Sequence, residues 1–201
     1  MVKISLTDFV DYVSKVGGTK FTKVKTIYNR DPYERAFDFW LPLREAIIDL
    51  HRNDQNKKEL DKVLLNLTDR KKINTYPGLV KQYKSWLGRK QIEWFDPPYK
   101  IWNHGDLSVK LNPELGLDIN GILYVIKLHF KAESLSQQKA DLILLLLNKE
   151  LKKRAYKDVN FAILDIRKKK LFGSTKLGDQ HIALLEAEAN SFVSIWNSIG
   201  A

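Results

Sequence analysis

The chain has 201 residues, a formal net charge of +10 and no cysteine. This excludes disulfides, thiolate metal sites and cysteine nucleophiles, and the length suits a single domain with a full core. The excess of positive charge favours a polyanion such as DNA or RNA, bound without regard to sequence. No basic amphipathic segment carries the exposed aromatic face that a membrane partner would require.

The opening MVKISLTDFVDYV lacks the long apolar run of a signal peptide, so a cytoplasmic location is expected. Ser5-Leu6-Thr7-Asp8 reads as a capping box with Asp in place of Glu, opening a short helix that should end at Gly17-Gly18. Thr19 to Arg30 is basic with scattered apolar residues and reads as a strand or an ordered loop. Asp31-Pro32 reads as an N-cap and first-turn pair. The helix it opens should run through FDFWLPLREAIIDLHR, kinked or restarted at Pro42. Lys57 to Asp69 is a further amphipathic helix, with Leu60, Val63, Leu64 and Leu67 at helical spacing. Pro77 to Leu87 is another, stopped by Gly88.

The pattern changes near residue 90. Gln91 to Leu111 holds Trp94, Phe95, Tyr99, Ile101 and Trp102 around Pro97-Pro98, with a turn at Asn103–Asp106, and reads as β structure. Its aromatics suit core and edge packing more than base stacking. Asn120-Gly121 then closes a hairpin, since this pair tolerates the positive φ angles of a type I′ turn. A helix capped at Ser134 or Ser136 should run from Gln137 to Arg154, buried on most sides by Leu142–Leu147. That apolar run is too short to span a bilayer. Val159 to Ile166 reads as an apolar strand, Arg167 to Lys169 as a turn into Lys170-Leu171-Phe172, and Asp179 to Ser198 as a closing helix. No linker divides the chain, so one domain over residues 1–201 is expected, with residues 1–90 mainly helical and 91–201 mixed α/β.

The two-residue turn fixes which residues meet across the hairpin. Ile119 should lie opposite Ile122, Leu117 opposite Tyr124, and Glu114 opposite Lys127 at about 5 Å between Cβ atoms. One face then carries Leu115, Leu117, Ile119, Ile122, Tyr124, Ile126, Leu128 and Phe130. The other carries Asn112, Glu114, Gly116 and Asp118 against Leu123, Val125, Lys127 and His129. Asp118 lies roughly 13 Å from Glu114 along the strand, too far to share a site with Lys127.

Pro113-Glu114 and Val125-Ile126-Lys127 are separated by ten residues. This spacing, with the order of helix, three antiparallel strands, helix and strand from Pro77 onward, resembles the PD-(D/E)xK nuclease superfamily. The resemblance covers about the second half of the chain. It implies an α/β (α+β) fold with an αβββαβ, restriction-endonuclease-like core, here preceded by an N-terminal helical region. It further implies a metal-dependent phosphodiesterase. Glu114 then stands as the first metal-binding acid for Mg²⁺, and Lys127 as the lysine that positions the attacking water; these are the candidate catalytic residues. Val125 occupies the place of the second acid. Either the chemistry is lost, or an acid such as Glu93, Glu133 or Asp141 has taken over. Gln137 or Gln138 resembles a supporting helix glutamine of some members.

Read from the residues alone, Glu114 and Lys127 are equally a cross-strand ion pair. His129 shares their face, while His51, His104 and His181 show no metal-ligand spacing. There is no glycine-rich phosphate loop and no GxSxG elbow. The basic clusters Lys20–Lys25, Lys149–Lys157 and Arg167–Lys170 are candidates for phosphate contact. Arg167, Lys168, Lys169 and Lys170 are the foremost of these, and the last two clusters flank one expected strand, which should bring them near each other. A nucleic-acid-binding protein with a degenerate nuclease site is the leading expectation. The alternative is a non-enzymatic interaction module, such as a homodimer or other homo-oligomer; Leu142–Leu147 offers a dimerisation face, though a central core helix suits it better.

Overall fold

The computed structural model describes residues 1–65, 67–153, 156–173, 177–178 and 180–200. The chain opens with a strand, β1 (Val2–Ser5), and runs straight into helix α1 (Leu6–Val13). The capping box forms as expected. Ser5 Oγ accepts from the Asp8 N–H at 3.0 Å and donates to the Asp8 carboxylate at 2.9 Å. Helices α2 (Gly18–Tyr28), α3 (Leu41–Arg52) and α4 (Arg70–Leu87) follow, then strands β2 (Ile92–Phe95), β3 (Lys100–His104), β4 (Leu107–Leu111), β5 (Leu115–Ile119) and β6 (Ile122–His129). Helix α5 (Gln137–Leu151), strands β7 (Asn160–Asp165) and β8 (Lys170–Phe172), and helix α6 (Gln180–Gly200) complete the order.

The strands form two sheets. The central one has the order β2-β5-β6-β7-β8, antiparallel except for the parallel pair β6 and β7, which α5 connects. The smaller one has the order β1-β4-β3, with β1 parallel to β4. The fold is therefore mixed α/β.

Side-chain alternation gives the central sheet two apolar faces. Leu115, Leu117, Ile126, Leu128, Ala162 and Leu164 meet Leu43, Ile47, Tyr76, Val80 and Tyr83 from α3 and α4. On the other face, Val125, Phe161, Ile163 and Phe172 meet the small sheet and the buried sides of α1, α2, α5 and α6. Leu142 to Leu147 are all buried there, so this run is a core element and not an exposed dimer face. No helix among the described residues is long and apolar enough to cross a membrane.

The first half of the chain departs most from expectation. Of Thr19–Arg30, expected as a strand or loop, Thr19–Tyr28 belongs to helix α2, whose Val24 and Ile27 are buried. Its weak local pattern is settled by packing on α6. Asp31-Pro32 opens no helix. Residues 29–40 contain only a 3-10 turn at Arg35–Phe37, and α3 starts at Leu41 with Pro42 in its first turn, where a missing N–H is harmless. Lys57–Leu64 winds as a 3-10 helix with Leu60 buried. Asp69 is the cap of α4, accepting from the N–H groups of Lys71 and Lys72 at 2.7 and 3.3 Å. Pro77 therefore lies inside α4 rather than at its start. Burial of Tyr76, Leu79, Val80 and Tyr83 offsets the roughly 3 kcal/mol that an interior proline costs.

Between α4 and α5 there are five strands, not three. The β3–β4 hairpin, turning at Gly105 with φ 53°, leaves the central sheet and pairs with the unexpected β1. Helix α5 is capped by Ser136 and ends at Leu151; the expected end at Arg154 and the expected start of α6 at Asp179 lie outside the described residues.

A buried polar pair ties α3 to α4. His51 Nε2 lies 2.6 Å from the Tyr83 hydroxyl. Burial pushes the imidazole down to about 4 and the phenol well up. The unfolded chain takes up this proton near pH 6.5, whereas the fold resists it until about pH 4. Stability should therefore fall as pH drops through that window, by about 3 kcal/mol in all, before the carboxylates titrate. Denaturant melts at pH 7, 5.5 and 4.5 measure this, and His51→Gln should flatten the slope. An equal slope in the variant would assign the loss to another group.

Candidate functional site

The hairpin has the expected register. Ile119 pairs with Ile122, Leu117 with Tyr124 and Leu115 with Ile126. Asn120 and Gly121 adopt φ of 54° and 83°, and the Asp118 carboxylate accepts from the Gly121 N–H at 2.7 Å. Asp118 is thus occupied at the turn, at the far end of β5 from Glu114, as expected.

At that other end the pairing with β6 continues one residue beyond β5. Pro113 has no N–H, and the Glu114 N–H donates to Ile126 O at 3.0 Å. The Glu114 side chain takes over what the backbone leaves open. Its Oε2 accepts from the Leu128 N–H at 2.8 Å and its Oε1 from Lys127 Nζ at 3.2 Å. Lys127 Nζ also donates to Asn112 O at 3.3 Å. The side chains are 9% and 10% exposed, so this cross-strand pair is buried rather than displayed on a surface. On the α3 side, burial works to lower the Arg44 pKa, but the salt bridge to Asp38 at 2.7 Å and, to a smaller extent, the Glu114 charge outweigh it and raise the group above its ordinary value.

Beside the pair, α1, the end of β6 and the start of α5 enclose a pocket of about 30 Å³. Lys127, His129, Asp11, Glu133, Lys131 and Lys139 line it. Asp11 pairs with Lys131 at 3.0 Å and Lys139 at 3.2 Å. Burial works to raise the Asp11 carboxyl, but hydrogen bonds and charge from these lysines outweigh it and hold the group below its ordinary value. Glu133 pairs with Lys139 at 3.0 Å, and His129 Nε2–H donates to Glu133 O at 2.8 Å.

Of the three candidate replacement acids, only Glu133 lines this pocket. Glu93 sits opposite Asp118, toward the turn, and Asp141 accepts from Gln137 Nε2 at 2.8 Å within α5. Asp11 and Arg44 escaped the sequence reading. Each is brought in by packing from a helix outside the hairpin, and no local signal marks either.

Glu114 offers one carboxylate with both oxygens engaged, and Val125 is fully buried in the apolar core. Among the described residues no group of three or more His, Asp or Glu is arranged to hold a metal ion.

Two of the basic clusters do not come together as expected. Lys149–Lys157 precedes β7 and Arg167–Lys170 follows it, so a strand about 20 Å long separates them. Arg154 of the first cluster lies outside the described residues. The second cluster instead joins the pair's end of the sheet. The Ile166 N–H donates to His129 O at 3.2 Å, and Arg167 Nε to Phe130 O at 3.0 Å. Lys168, Lys169 and Lys170 are exposed. Of the aromatics around Pro97-Pro98, Trp102 is buried against Phe9 and Phe95 packs over Gly116, while Tyr99 is exposed. No protein-family model and no curated protein matches the sequence.

Proposed function

We propose that the chain is a nucleic-acid-binding protein built on a PD-(D/E)xK nuclease-like core whose catalytic centre is degenerate. The observation that carries this reading is where Glu114 and Lys127 fall in the topology. α4 leads into β2, β5 and β6, each antiparallel to the last, α5 crosses over, and β7 returns parallel to β6. This is an αβββαβ order with the β3–β4 hairpin inserted after its first strand. Glu114 stands at the start of the second strand and Lys127 on the third.

A nuclease of this type needs two carboxylates on one face. Here Val125 fills the second position, and Glu114 is committed to Lys127 and to the Leu128 N–H. A single committed carboxylate is not expected to support cleavage, and phosphate contacts fall instead to the exposed cations Lys168 to Lys170 at the same end of the sheet.

Weak, sequence-independent binding of DNA or RNA is the expected result, falling steeply as salt rises and counterions are released. Replacing Arg167, Lys168, Lys169 and Lys170 together with glutamine should weaken it alike for all sequences and flatten the salt dependence. No cleavage is expected in Mg²⁺ or Mn²⁺. Robust cleavage abolished by Glu114→Gln would overturn the degenerate site. Absence of binding at low salt would remove the nucleic-acid reading in favour of an interaction module.

A further inference from the structure

The stretch between α2 and α3 has an unusual construction. Its two ends are held and its middle is presented to solvent. At one end the Arg30 guanidinium grips the Asp8 carboxylate through two bonds, at 3.0 and 3.1 Å. At the other end Trp40 stacks on Phe130, with ring centroids 5.4 Å apart and planes 13° from parallel. Asp38 braces the same end, accepting from Arg44 at 2.7 Å and from the Trp40 N–H at 3.0 Å. Between these anchors Tyr33 and Phe37 are 70% and 80% exposed. Tyr33 is also oriented, since its hydroxyl donates to Asp38 at 3.0 Å.

The anchors place this strap. Asp8 lies on α1, whose Asp11 holds Lys131 and Lys139 beside the Lys127 pocket. Phe130 follows β6, and its carbonyl takes the Arg167 side chain. The strap therefore runs from α1 to the residue after β6, and its second anchor is flanked by cations: Lys131 follows Phe130, and Arg167 binds the Phe130 carbonyl. Its own middle carries the acids Asp31 and Glu34 and is no phosphate site. Exposed flat rings on a strap anchored beside cations complement a chain whose bases are free and whose phosphates run alongside. A duplex, with its bases already stacked, has no free faces to offer these rings.

We infer that residues 31–38 grip single-stranded nucleic acid, with Tyr33 and Phe37 stacking on unpaired bases while Lys131, Arg167 and Lys168 hold the backbone. This rests on the nucleic-acid reading above and specifies its substrate class as single-stranded.

The test is fluorescence anisotropy of the full chain at low salt, with a labelled oligothymidine and a labelled duplex of equal length. The wild-type protein should prefer the oligothymidine. Tyr33→Ala and Phe37→Ala should each weaken that binding about tenfold or more, leaving duplex binding and its salt dependence unchanged. Tyr33→Phe, which keeps the ring, should restore most of the loss. Both side chains are exposed, so an unchanged thermal melt separates a binding defect from a folding one. Wild-type affinity for oligothymidine in the Tyr33→Ala/Phe37→Ala double variant would overturn the strap as the grip while leaving the broader nucleic-acid reading intact. Failure of the wild-type protein to bind either probe would remove both.

Discussion

Lys127→Met should destabilise the fold by about 3–5 kcal/mol, the cost of stranding one charge of a buried pair. The methionine fills a similar volume but leaves Glu114 with no cation on Oε1, at 9% side-chain exposure. Glu114→Gln should cost less on the backbone side, because the amide oxygen still accepts from the Leu128 N–H, but it leaves Lys127 without its counter-charge. The double variant Lys127→Met/Glu114→Gln should therefore recover much of the single losses, since no unpaired charge then remains buried. Chemical denaturation of the wild type, both single variants and the double variant closes the cycle. Strictly additive losses would mean that the pair is not coupled and that its burial has little energetic meaning.

Gly116→Ala is expected to be nearly as damaging. Gly116 pairs with Phe95 across β5 and β2. A Cβ there would stand 2.2 Å from the Phe95 carbonyl oxygen and 2.8 Å from two atoms of its ring. The glycine is needed for space between strands rather than for an unusual φ. Because the nearest atom is backbone, the two strands must separate, and a loss of about 3 kcal/mol is expected. Adding Phe95→Ala should not rescue the variant, since the carbonyl stays where it is. A melt within about 1 kcal/mol of wild type would show that the strands do not approach this closely. As β5 also carries the approach to Glu114, this position links the close strand packing to the geometry of the candidate site.

Whatever is set within a few residues could be read from the chain alone. Ser5 caps α1 through its own neighbour Asp8, and Asn120-Gly121 dictates the turn. From that turn the period of two fixes the register, and with it the meeting of Glu114 and Lys127. The long apolar stripe of α5 and the run of β7 were legible for the same reason: their burial is written in their own periodicity.

Most of the features that were misread depend on a partner distant in sequence. Helix α2 carries little amphipathic signal and is settled by α6, which lies at the other end of the chain. Asp31-Pro32 has the chemistry of a helix start, yet Arg30 is drawn to Asp8 and Trp40 to Phe130, and these anchors leave the segment with no more than a 3-10 turn. Asp69, not Pro77, starts α4, because the tyrosines and leucines around Pro77 gain more from burial than the proline costs. β1 is too short to announce itself and exists only because β4 offers it an edge. The approach of Asp11 and Arg44 to the buried pair follows from the packing of α1 and α3 on opposite faces of the sheet. Local periodicity determines which atoms a hairpin brings face to face; only the burial of apolar surface between distant elements decides what surrounds them.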